Sequence, residues 1–167
     1  MSKRIATAIG LIVFGIPVLM FGGIPYFLLV GLLLAAAAWE YADMFQAAGS
    51  RPARWLIVAG VVVIAAGRFF HATNIIPVLT IGILALMVFH LVDYERGAEH
   101  AGMDFSVSLG ALVYIGWVGA YLFDLRQLEF GGWWVMFVLP CVWLADTGAY
   151  ALGAAYGKHY MRPRLSP

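Results

Sequence analysis

Six apolar runs, each long enough or nearly long enough to cross a bilayer, leave a chain of this kind few folds to choose from. A helix crossing the hydrocarbon layer needs about 20 mostly apolar residues. The runs cover Ile5–Phe21, Pro25–Phe45, Trp55–Phe70, Ile75–Val92, Phe105–Phe123 and Gly132–Gly153. Between them lie "GGIP", "AAGSRPAR", "HATN", "DYERGAEHAGMD" and "DLRQLEFG", which are turn-forming or charged. With 63% hydrophobic and 11% charged residues, the chain has more apolar surface than a soluble domain of 167 residues can hide. The expected fold is all-α, a polytopic membrane bundle of about six helices forming one unit over residues 1–167. The third run is the shortest and ends at Arg68, whose stem is expected to reach out to the headgroups. The charged start and first apolar run look like a signal peptide but lack a small-residue cleavage site, so that run reads as a retained helix.

Lysine and arginine set the orientation. With a cytosolic N-terminus, that side holds Lys3, Arg4, Arg51, Arg54, Arg96, Lys158, Arg162 and Arg164, against Arg68 and Arg126 opposite. Eight against two places the N-terminus and the tail in the cytosol. On this topology Glu40, His90 and Asp146 lie at a similar depth, in the cytosolic half. An ionisable group inside the bilayer costs about 3 kcal/mol on insertion scales, so such groups usually face a cavity or a partner. Asp146 is therefore expected to face the bundle interior. Glu40, beside Trp39 and Tyr41, reads either as an interfacial residue or as part of a site, and His90 chiefly as a hydrogen-bonded helix residue. Cys141 rules out an internal disulfide and reads as packing.

Asp146, Tyr150, Gly153 and Gly157 fall on one helical face. Gly153 and Gly157 suit either close helix contact or a ligand-lining surface, and the carboxylate favours the second. Lys158, His159, Arg162 and Arg164 read as a positive-inside flank or as a phosphate-binding nest. "GAAYGKH" is no Walker loop: its glycines have only three residues between them, histidine follows the lysine, and no strand precedes it. No Cys/His cluster points to zinc.

The run "DTGAYALGAAYGKHYMRPRLSP" resembles the phosphatidate cytidylyltransferases (CDP-diacylglycerol synthases). Asp146, Thr147, Ala149, Tyr150, Gly153, Gly157, Lys158, Pro163, Ser166 and Pro167 match that family's spacing in register. Upstream the likeness is looser, in the basic start, "WE" of the second run and "LVYIG" of the fifth. The resemblance implies that CTP and phosphatidate react to CDP-diacylglycerol and pyrophosphate, with Mg2+ as cofactor and no nucleic acid involved. It implies catalytic roles for Asp146, also a metal ligand, and Lys158, and substrate contacts by Tyr150, Gly153, Gly157, Arg164 and Ser166. Glu40 and His90 would be supporting polar residues. It further implies a bacterial inner-membrane location and a homodimer at full length. Family members continue past the position of Pro167 with a lysine pair, more helices and an acidic signature, so this chain is expected to be an N-terminal part, inactive alone. The rival expectations are a related CTP-dependent lipid kinase or transferase, and a non-enzymatic membrane protein using Asp146 as an ion relay.

Overall fold

The structure, a computed structural model, describes residues 15–71 and 74–157. The described residues are helical almost throughout. A first helical stretch (α1, residues 15–21) leads through Gly22 into α2 (Gly23–Ala47). Then come α3 (Arg54–Phe69), α4 (Ile76–Glu95), α5 (Ala101–Ala111), a π-helical segment (Leu112–Val118), α6 (Tyr121–Gln127) and α7 (Gly131–Tyr156). Helices α2, α4, the continuous stretch Ala101–Gln127 and α7 are each long and apolar enough to cross a bilayer. The 16 residues of α3 reach only about 24 Å at 1.5 Å per residue. That is short of the ~30 Å hydrocarbon thickness. It can be short because it sits at the centre: Ile57, Val61 and Ile64 are fully buried, and α3 touches α2, α4, α5, the π segment and α6.

Between helices in lipid, packing depends on close approach rather than on escape from water. Small residues make the contacts here. Ala38, Ala42, Ala65 and Ala111 are buried, and Leu112 wedges between Gly60 of α3 and Gly82 of α4. A Cβ on Gly60 would come 2.6 Å from Leu112, and one on Gly82 3.1 Å. Aromatic rings close the core at the opposite end: Phe27 stacks on Phe69 at 4.7 Å, and Tyr26 meets Phe123 edge-on at 5.7 Å. Tyr26 also donates from its hydroxyl to the Leu122 carbonyl at 2.8 Å.

Two of the turns share one chemistry. After α2, Gly49 takes φ 95° and Ser50 N–H returns to the Phe45 carbonyl at 3.0 Å. After α4, Gly97 takes φ 93° and Ala98 N–H returns to Asp93 at 3.0 Å. Both are glycine-terminated Schellman closures, which use the left-handed conformation glycine adopts without strain. Both helices stop at the same end of the bundle, where Arg51, after α2, meets Asp104, after α4.

Two expectations change. Arg68 does not reach outward. Its side chain is 9% exposed, paired with Asp124, with its guanidinium 4.5 Å from the Trp117 ring centre and 4.0 Å from that of Tyr121. Gln127 holds the same corner by donating to the Arg68 carbonyl at 3.1 Å. An acceptor and two aromatic faces inside the bundle outweigh extension into the headgroups. The fifth run starts four residues earlier than the sequence indicates and changes pitch midway. Ala101–Ala111 is α-helical, and Leu112–Val118 widens where Gly116 lies against Val61 and Ile64.

Candidate functional site

The end of the bundle carrying the two glycine closures holds most of the buried polar chemistry. Ser108 is fully buried on α5, His90 is 3% exposed on α4, and Asp104 is 4% exposed in the first turn of α5. Ser108 Oγ donates to the carbonyl of Asp104, one turn back, at 2.8 Å. It accepts from Ala53 N–H at 3.1 Å, and His90 Nε2 lies 2.9 Å away. A hydroxyl has one proton to give. With that proton on the Asp104 carbonyl, His90 must carry its hydrogen on Nε2. Its Nδ1 is buried without a partner. Asp104 Oδ1 accepts from Arg51 N–H at 2.7 Å. The residues leading into α3 are therefore clasped at two backbone amides by buried side chains of α5.

Next to this clasp, Arg54 pairs with Asp43 and Gln46 of α2 and lies 4.7 Å from the Trp39 ring centre. Trp39 in turn meets Trp55 edge-on at 4.8 Å. Trp39 is thus a packing partner of α3 as well as an aromatic at the end of the span.

The expected site residues separate into three groups. His90 is a buried, hydrogen-bonded helix residue, joined to Ser108. Glu40 and Asp146 are exposed, on α2 and α7, and neither forms an ion pair among the described residues. Tyr150 and Gly153 are exposed on α7 and Gly157 follows its last turn, while Lys158, Arg164 and Ser166 lie outside the described residues. Asp146 does not face the bundle interior as expected. The reason lies in how α7 is held: Gly131 and Val135, at its start, are its buried residues, and α6 is its main neighbour. Beyond them only Met136, Leu139, Pro140 and Gly148 are partly covered among the described residues, and Cys141 is exposed on it too.

Glu40 and Asp146 lie at comparable distances along their helices. Arg126 donates to the Leu19 and Met20 carbonyls at 3.0 and 2.8 Å and lies beside Gly22 and Gly132, so α2 and α7 begin side by side. From those starts Glu40 is about 25 Å along α2 and Asp146 about 22 Å along α7. Asp104 and Ser108 were missed by the sequence reading. Their signal was present: a serine and an aspartate one turn apart in an apolar span, close to a histidine-bearing helix.

Among the described residues, no three His, Cys, Asp or Glu side chains gather as a metal site. Magnesium needs several oxygen ligands, so the described residues do not form a magnesium site by themselves.

A sequence profile described as the cytidylyltransferase family matches residues 2–167. The chain is 27% identical over 169 residues to a phosphatidate cytidylyltransferase of Staphylococcus aureus (strain COL), covering 100% of this chain and 64% of that protein. The phosphatidate cytidylyltransferase of Staphylococcus saprophyticus is 30% identical over 169 residues with the same coverage. That of Staphylococcus epidermidis (strain ATCC 12228) is 28% identical over 173 residues, again covering 64% of the relative. The chain therefore spans a little under two thirds of the length of these curated relatives. No solved structure matches it. With the match running almost from end to end of an all-helical membrane bundle, the chain belongs to the cytidylyltransferase family.

Proposed function

We propose that the protein containing this chain transfers the cytidylyl group of CTP to phosphatidate, giving CDP-diacylglycerol and pyrophosphate at the cytosolic face of a bacterial inner membrane. The observation that carries this reading is the run from Asp146 to Pro167, in which ten positions hold the spacing of enzymes with that activity. In the reaction an oxygen of the phosphatidate phosphate bonds to the α-phosphorus of CTP. The bond from that phosphorus to the oxygen bridging to the β-phosphate breaks, and pyrophosphate leaves with the electron pair. The nucleophile is already anionic near neutral pH, so it needs little proton abstraction. Alignment and charge neutralisation provide the catalysis.

The roles follow from charge. Lys158 and Arg164 suit phosphate oxygens, and Tyr150, Gly153 and Gly157 border the substrate, with Ser166 further along the pattern. Asp146 offers one hard oxygen ligand of the kind magnesium takes, with the remaining ligands drawn from substrate phosphates and from outside the described residues. His90 supports the site from a distance through the Ser108 clasp. The basic asymmetry supports cytosolic termini, and the homodimer remains part of this reading, to be tested by cross-linking at full length.

The decisive experiment measures lipid product from labelled CTP with the full-length protein. Asp146→Asn keeps size and removes charge, and turnover should fall by roughly one to two orders of magnitude. Lys158→Ala should weaken apparent affinity for CTP or phosphatidate more than it lowers membrane assembly, while Arg162→Ala, outside the pattern, should change little. Normal turnover of a normally folded Asp146→Asn protein would remove Asp146 from the site.

A further inference from the structure

We draw no further inference here: the strongest candidate, the open apolar groove of about 520 Å³ walled by α1, α2 and α7, carries nothing because nothing in the structure shows what covers it.

Discussion

Ser108→Ala should be among the most damaging single-atom deletions in this bundle. The hydroxyl is fully buried and serves three groups: the Asp104 carbonyl, Ala53 N–H and His90 Nε2. Removing it leaves two donors, the amide and the imidazole N–H, buried without acceptors. Each such group costs about 1–3 kcal/mol. Losing Ser108's own bond to the Asp104 carbonyl costs little, because a serine in mid-helix gains little from bonding back one turn. The sum is about 2–6 kcal/mol. His90 provides a check on the cause. In the parent, His90→Leu removes one donor and should destabilise mildly, since Ser108 keeps its other two partners. In the Ser108→Ala background the same change removes a stranded donor, so it should restore about 1–2 kcal/mol. Equilibrium unfolding of the reconstituted protein in mixed micelles of rising SDS fraction, followed by circular dichroism, measures all four corners of the cycle. The reasoning is refuted if Ser108→Ala falls within about 0.5 kcal/mol of the parent, or if His90→Leu destabilises both backgrounds equally.

Asp124→Leu should lower stability by about 1–3 kcal/mol, less than a fully buried pair would lose, because Asp124 is 38% exposed while Arg68 is 9% exposed; a thermal melt in detergent reads it, and an unchanged midpoint would show that Trp117 and Tyr121 alone suffice for Arg68. Gly60→Val should be worse than Gly82→Ala, because Leu112 sits 2.6 Å from the first Cβ position and 3.1 Å from the second; equal losses in the same melt would refute the wedge. Reporter fusions after Arg54 and Arg96 should both signal cytosol, and an opposite signal at either would overturn the orientation drawn from the basic residues.

The helical layout was largely legible in the sequence because runs such as Pro25–Phe45 must span the bilayer or not fold at all. Their partners were not. Arg68 looked free to extend because the residues that receive it, Asp124, Trp117 and Tyr121, lie about 50 positions away, and no periodicity in either run signals the pairing. Ser108 and Asp104 were overlooked for a similar reason: a lone serine in an apolar helix commonly bonds back to its own backbone, and only the approach of residues 51–53 gives it wider importance. The sequence indicated how far along its span Asp146 lies but not the side it faces. Hydropathy reports how far a residue sits along a span, while the side it faces depends on which helices stand beside it.

The pitch change at Leu112–Val118 has a consequence for the whole stretch from Ala101 to Gln127. Each turn closed from i to i+5 takes in one more residue than an α-turn and delays the helical phase by about 100°. Upstream of the delay, Asp104 and Ser108 point at the residues leading into α3 and at α4; downstream, Phe123 and Asp124 meet Tyr26 and Arg68 on α2 and α3. A uniform α-helix through the same residues would satisfy one of these sets and turn the other toward lipid. The wide segment works as a phase corrector, letting one transmembrane rod dock against different neighbours at its two ends. Deleting a single residue within it would therefore misalign contacts as much as 20 Å away, at the end of the helix that the deletion never touches.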